Sequence, residues 1–417
     1  MTDIKNKISS LSKNKDARIL ASNFAWLSLL QIAGYLFPLI TIPYLAQTIG
    51  AEGFGKIAFA SAIMVWIQTI ADWGFNYTAT RDIAQNRHDT KIVSQIFSNV
   101  LWARLFLCIV AFVVLLVLIY SIPKFYEHRV IILITFIMVP GHVIFPDWFF
   151  QAIEKMRYIT ILNLLIKLIF TILVFVFIKR PEDYILQPLF TSLAYILCGI
   201  ISLSLILGKW HIHLQQPSIQ QIIVTIKNST DVFINNLAPN LYNSFSIVIL
   251  GLCGGSLATG IFDGGNKFIS LCQQFQSVIS RTFFPFLSRK KDKHSLFATI
   301  NISIAFVVAT GLFLSAPLIV KWFLSNEFNE SIIVIRILSV SLIFWAISDT
   351  YGINYLIIQK REKILRNITI CGSIIGLCIG YPLISQYSYI GASITIATSR
   401  FILGILTYIY AKKDYNQ

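Results

Sequence analysis

The sequence predicts an all-α polytopic membrane protein of about twelve transmembrane helices, in two six-helix lobes related by a parallel pseudo-two-fold repeat. Three observations predict it. First, 56% of the 417 residues are hydrophobic and only 13% charged, with mean hydropathy +0.71, which is too apolar and too little charged for an ordinary soluble domain. Second, the apolar residues fall in runs of roughly 20, the length that crosses a bilayer core as a helix. These runs do not alternate in polarity as the strands of a membrane barrel would. Third, Lys and Arg concentrate in every second connection, the pattern of a chain threaded back and forth with its basic loops on one side.

The first run, near 22–48, follows a basic segment, residues 1–21, that lacks the apolar core and cleavage site of a secretory signal and is expected to stay in the cytoplasm. This run contains "FPLITIPYL", Phe37 to Leu45, with prolines at Pro38 and Pro43. Each proline lacks the amide that bonds four residues back, so Pro38 frees the carbonyl of Gly34 and Pro43 that of Leu39. In lipid those carbonyls need water, a side chain such as Thr41, or a neighbouring helix. The pair is a candidate hinge, and the competing account is a static kink that only shapes packing.

Further runs are predicted near 54–78, 95–120, 129–150, 158–178 and 184–207, completing an N-terminal lobe over 22–207. The longest connection, 208–229, falls near the midpoint of the chain and is expected to be a cytoplasmic linker. A C-terminal lobe, 230–411, then holds runs near 230–252, 257–286, 297–323, 332–357, 365–384 and 389–411, followed by a tail, 412–417. Six is even, so both halves start on the same side and their repeat is parallel. A trace of it survives: "GAEGFGKIAFA" at Gly50 and "GSLATGIFDGG" at Gly255 share glycines five apart at an offset of 205.

Orientation follows from the loop charges. With the N-terminus inside, the inner segments hold Lys5, Lys7, Lys13, Lys15 and Arg18, Arg81, Arg87 and Lys91, Lys155 and Arg157, Lys209 and Lys227, Arg289 to Lys291 and Lys293, Lys360, Arg361 and Lys363, and Lys412 and Lys413. The outer loops hold only Lys124, Arg129, Lys179 and Arg180, so both termini are expected inside.

Several function classes drop out. The net charge of +15 lies in short clusters between apolar runs, with no groove-reading helix or aromatic RNA-binding motif, so no nucleic-acid partner is expected. The six cysteines lie in apolar segments without CxxC spacing, so neither disulfides nor a metal site is expected. No phosphate-cradling GxxxxGK[ST] loop is present, which argues against an ATP-driven pump, and no cofactor is expected.

Candidate chemistry therefore rests on ionisable side chains within the spans, each costing about 2.5–3.5 kcal/mol at a helix centre unless it faces a cavity or a partner. Lys167, Asp263, Lys267, Asp349 and Arg400 fall at middle depth, while Arg104, Arg281 and Arg336 lie nearer helix ends, where snorkelling to the headgroups is the alternative. With Asp72, Asp147 and Asp231 set aside as interfacial, cations outnumber acids, and a cavity so lined suits an anionic substrate such as a phosphate or acidic sugar. Asp263 and Lys267 are four apart on one helical face in the favourable order, acid first. They either neutralise each other or, with Asn266 and the adjacent glycines, offer a Lys whose salt bridge exchanges for an anionic ligand. On charge alone, Arg400→Lys should be milder than Arg400→Ala. The stretch "INNLAPNLYNSF" from Ile234 is polar and proline-broken, suited either to a hydroxylated ligand or to interhelical hydrogen bonding.

The run "NFAWLSLLQIAGYLFPLITIPYLAQTIGAEGFGKIAFASA", Asn23 to Ala62, with "DWGFNYTATRDIA" from Asp72, resembles the opening helices of Wzx-type O-antigen flippases, the polysaccharide transporter family of the multidrug/oligosaccharidyl-lipid/polysaccharide exporter superfamily. "GIFDGGNKFISL" and "RTFFPFLSR" are similar to that family's eighth helix, with Gly260, Lys267 and Pro285 on its recurrent positions. The resemblance implies a flippase that carries an undecaprenyl-diphosphate-linked oligosaccharide from the inner to the outer leaflet of a bacterial inner membrane. It would work by alternating access of two lobes, with membrane lipids around it and a polymerase and chain-length regulator of the same pathway as candidate partners. Three rivals stand beside it: a flippase for another lipid-linked glycan (capsule, teichuronic-type or peptidoglycan precursor), a drug exporter, and a membrane-embedded polymerase or ligase. The drug exporter is disfavoured by the cationic interior, and the enzyme by the short outward loops.

Overall fold

The computed structural model describes residues 15–415. The basic segment 1–14 and the tail residues 416–417 lie outside the described residues. Every regular element among the described residues is helical, and eight helical stretches are long and apolar enough to cross a membrane. Helices satisfy their own backbone groups, which a bilayer cannot do for them.

The helices pack into two compact units. The first comprises the chain up to Thr41, Ile67–Phe177 and Ile185–Phe233, and the second comprises Ile42–Trp66, Ile178–Tyr184 and Ile234 onward. Helix α1, Lys15–Asp72, therefore contributes to both. Its 58 residues would make a straight rod of about 87 Å, far beyond a bilayer core of about 30 Å. Gly50 interrupts it with φ 66° and ψ 179°, a conformation open to a residue without Cβ. The turn thus falls at Gly50, whereas α1 keeps helical dihedrals through Pro38 and Pro43. The Thr41 hydroxyl donates to the Phe37 carbonyl at 2.9 Å, not to either carbonyl that the prolines free. The chain nevertheless leaves the first unit between those two prolines.

In the first unit, α1 ends at a turn in which Trp73 and Gly74 have φ of 40° and 80°. Then follow α2 (Phe75–Gln85), α3 (Thr90–Ser121), α4 (Pro123–Glu127), α5 (Arg129–Phe136), α6 (Met138–Val143), α7 (Asp147–Ala152), α8 (Met156–Phe177), α9 (Leu186–Lys209) and α10 (Ile219–Leu237). The Asp89 carboxylate caps α3 by accepting from the amides of Lys91 and Ile92. Phe75, Phe97, Trp148, Phe149 and Phe150 are fully buried at the centre of its core. The segment 208–229 is less open than its composition predicts. Helix α10 begins at Ile219, because Ile222 and Ile226 recur one turn apart and pack on that core. The remaining stretch is strapped to α3: the amides of His213 and Gln215 donate to the hydroxyls of Ser94 (3.1 Å) and Ser98 (2.9 Å), and the Trp102 indole donates to the Gln215 carbonyl at 2.9 Å.

The second unit holds the arm of α1 after Gly50, then α11 (Asn243–Cys253), α12 (Gly255–Arg289), α13 (His294–Phe323), α14 (Ser331–Ser348), a π-helix at Asp349–Ile357, and α15 (Glu362–Tyr415). Ser388, with φ 51°, divides α15. A Glu327 carboxylate oxygen accepts from the Ala51 amide at 2.7 Å, capping the α1 arm where Gly50 has broken it. That arm crosses α12 with backbone nearly against backbone. A methyl on Gly55 would stand 1.8 Å from the Ser256 carbonyl oxygen, and one on Gly260 would stand 1.8 Å from the Ala51 carbonyl oxygen. The contact is reciprocal at the offset of 205 seen in the sequence: 55 meets 256, and 260 meets 51, as on a local two-fold axis. Gly50 and Gly255, also 205 apart, both have positive φ.

Gly260→Ala should therefore force this crossing apart and destabilise the detergent-solubilised protein by roughly 1–3 kcal/mol in thermal unfolding. Gly311→Ala, at a helical position with open space around it, should leave the melting temperature unchanged or slightly raised.

Candidate functional site

A polar cavity of about 500 Å³ lies within the second unit. One wall is α12. Asp263, Asn266, Lys267, Ser270, Gln273, Gln274 and Ser277 all line the cavity, and their spacing of three and four residues sets them on one helical face. Opposite, the α1 arm contributes Ala58, Ser61, Ala62 and Val65, again one face, and small enough to leave the volume open. The Gly55–Gly260 crossing fixes how these two walls meet. A third wall comes from the break that Pro239 makes between α10 and α11: a short 3-10 turn, Ala238–Leu241, delivers Tyr242, Asn243 and Ser244 to the cavity. Trp345 of α14 and Arg400 of α15 close it.

Lys267 Nζ stands 3.2 Å from the Asp263 carboxylate, with the Lys side chain 45% exposed and the Asp 9%. The ammonium therefore reaches into open volume, anchored by an acid that is almost buried. Arg400 is only 4% exposed. Its Nη1 donates to the Ser341 hydroxyl at 2.9 Å and its Nη2 to the Gln273 amide oxygen at 3.3 Å. Its Nε has no hydrogen-bond partner among the described residues. No carboxylate among the described residues pairs with it, so the cavity carries two cations against one acid. Amides and hydroxyls make up most of the remaining polar lining, a set able both to donate to and to accept from sugar hydroxyls. The arrangement suits an anionic, hydroxyl-rich ligand.

Arg400 also lines a smaller cavity of about 190 Å³, with Tyr242, Trp345 and Asp349. Asp349 opens the π-helix, an arrangement that often marks functional segments. Asn354 donates to the Asp349 backbone carbonyl at 3.3 Å and to the Ser280 hydroxyl at 2.7 Å.

The other candidates lie elsewhere. Arg104 belongs to the first unit, where it is fully buried, pairs with Asp72 and donates to the His142 carbonyl at 3.4 Å. Asp72 is thus no spectator at an interface, and Arg104 does not add to the cationic excess. Lys167, also in the first unit, is half-buried on α8. The Arg336 guanidinium sits over the Phe313 ring, 5.3 Å from its centroid, and Arg281 is exposed. Pro38 and Pro43 are half-buried in α1. Charge gave no pointer to Ser270, Gln273, Gln274 or Ser277. Their helical spacing after Lys267 is the signal that finds them, and it also explains why α12 falls below the hydropathy of a membrane span.

Residues 20–291 match the polysaccharide biosynthesis protein family, a stretch that takes in each run on which the resemblance rests. A protein of Escherichia coli (strain K12) with the name "Putative O-antigen transporter" is 28% identical over 411 residues, 96% of this chain and 99% of that one. A relative of the same name from Shigella dysenteriae is 27% identical over 92% of this chain and 98% of its own. Among solved structures, the inward-facing conformation of a multidrug resistance MATE family transporter of the MOP superfamily superposes with a TM-score of 0.70 at 14% identity, covering 94% of this chain and 98% of that one. The lipid II flippase MurJ, in an inward closed conformation, gives 0.72 at 13% identity, covering 95% and 88%. At such identities the likeness is one of fold.

The forked bonding of Arg400 reverses the expectation drawn from charge alone. A Lys ammonium cannot span Ser341 and Gln273 as a planar guanidinium does. Arg400→Lys should lower the melting temperature of the purified protein nearly as much as Arg400→Ala, and Ser341→Ala should cost about 1 kcal/mol. A Lys variant as stable as the wild type would show that charge suffices.

Proposed function

The chain belongs to the polysaccharide biosynthesis protein family, and on that premise we propose that it is a transporter, a Wzx-type flippase that moves undecaprenyl-diphosphate-linked O-antigen or related repeat units across the bacterial inner membrane. The observation that carries the proposal is the cavity of about 500 Å³ in which Lys267 and Arg400 outnumber Asp263 amid amides and hydroxyls. A diphosphate needs such cations, a sugar head needs such polar walls, and the polyprenyl tail remains in lipid. Nothing in this lining supplies a nucleophile paired with a base, which favours carriage over catalysis.

In this reading α1 and α15 each cross the bilayer twice. Helices α10–α11 and α12 cross despite their polar residues, and the total is the twelve crossings that the sequence predicts. The reciprocal Gly55–Gly260 contact supports a parallel repeat of two six-helix halves, with both termini on the cytoplasmic side. The passage of α1 from one unit to the other between Pro38 and Pro43 supports a hinge there, since each proline removes a backbone bond that would otherwise stiffen the helix.

The test is complementation of a flippase-null strain, reading surface polysaccharide on gels. The wild-type chain should restore it, and a strain that lacks a different lipid-linked glycan exporter serves to separate O-antigen from capsule or peptidoglycan precursors. Lys267→Ala should lower the restored polysaccharide by roughly tenfold, the worth of about 1.4 kcal/mol, at unchanged membrane level. Wild-type output from that variant would remove the residue from the site. The double variant Pro38→Ala with Pro43→Ala should be made in normal amount and transport slowly, and an unaltered rate would leave the prolines as packing features.

A further inference from the structure

A third cavity, of about 230 Å³, stands in the second unit apart from the Lys267 site, lined by His294, Ser295, Tyr351, Tyr355, Tyr408 and Lys412. Three elements converge on it: the start of α13, the π-helix and the end of α15. Tyrosines at helix ends commonly form a lipid-facing belt of separately placed rings, but here His294 and Tyr355 are only 5% and 7% exposed. Their rings pack edge to face at 4.9 Å, as do those of Tyr351 and Tyr408 at 5.0 Å. The Lys412 ammonium lies 5.9 Å from the Tyr408 ring centroid.

The imidazole has a defined tautomer. His294 Nε2 is 3.1 Å from the Thr350 carbonyl oxygen; a carbonyl only accepts, so Nε2 carries the hydrogen and Nδ1 of the neutral ring is an acceptor. Thr350 is itself held by Asn301, whose amide donates to its hydroxyl at 2.9 Å. The cavity thus sets a cation and phenol hydroxyls beside a hydroxyl acceptor, and Lys293 and Lys413 adjoin it in sequence. Basic residues so placed set topology in any membrane protein, yet topology needs no cavity lined by a histidine and three tyrosines.

We infer that this cavity binds the phosphodiester headgroup of an anionic lipid, with Lys412 and the hydroxyls of Tyr351 and Tyr408 on the phosphate and His294 Nδ1 accepting from a headgroup hydroxyl, as phosphatidylglycerol offers. The site does not depend on the substrate assigned to the larger cavity. It is tested on the purified full-length protein in neutral detergent by native mass spectrometry, with phosphatidylglycerol, phosphatidylethanolamine and inorganic phosphate as separate probes. Phosphatidylglycerol should be retained in preference to the other two. Lys412→Gln should weaken that retention about fivefold, the worth of one lysine at an anionic surface, and Tyr351→Phe should weaken it measurably. Lys321→Gln, which makes the same charge change near the other end of α13, should not. Equal retention by Lys412→Gln and the wild type, equal binding of the zwitterionic lipid, or inorganic phosphate bound as tightly as phosphatidylglycerol would each overturn the inference, the last by assigning the cavity to a free ion.

Discussion

The backbone contact between Gly55 and Gly260 is the constraint on which the second unit depends. Each glycine lies where a single methyl would collide with a carbonyl oxygen 1.8 Å away. Lipid tails are as apolar as leucine, so helices in a bilayer gain little from hydrophobic burial and associate instead through close packing of small residues. The contact brings the α1 arm against α12 near one end, and Gly50, which turns the chain into that arm, is held there by the Glu327 carboxylate on the Ala51 amide. With the two backbones pinned, the small side chains of the α1 arm and the polar side chains of α12 face each other further along. The cavity is the volume they leave.

Polar groups in a membrane interior are costly unless satisfied, and the two units resolve that cost differently. In the first unit, the buried Arg104 is matched by Asp72 and His142, an arrangement that neutralises and fixes. In the second, Arg400 is held by neutral oxygens from Ser341 and Gln273, so its position is set while its charge is left over. Lys267 is tethered to Asp263 from one side only. A cation whose position is set without full neutralisation suits an anionic ligand, which then exchanges for a partial partner and not for a complete one.

Breaks in regular helix recur where the second unit does something specific. Pro239 ends α10 and turns Tyr242 and Asn243 into the cavity, and the π-helix puts Asp349 on the wall of a cavity that Arg400 also lines, while Tyr351 and Tyr355 line another. Such departures expose backbone groups that a straight helix would satisfy, and in the π-helix the Thr350 carbonyl is taken up by His294.

The sequence by itself determined the helical class, the membrane setting and the family, because apolar length, loop charge and recurrent motifs are local properties, and it brought forward Asp263, Asn266, Lys267 and Arg400, which line one cavity. It also held the glycine offset of 205 as a trace of the repeat, though not the contact that those glycines make. Only tertiary structure decided that Gly55 and Gly260 touch, that half of the segment read as a linker is helix, and that Asp72 belongs to Arg104. The same is true of the α12 stripe beyond Lys267: spacing marks a face, but what that face meets is set by a helix some 200 residues away in sequence. Partner choice between distant helices depends on shape and on which charges find each other, and neither is written in any one stretch of chain.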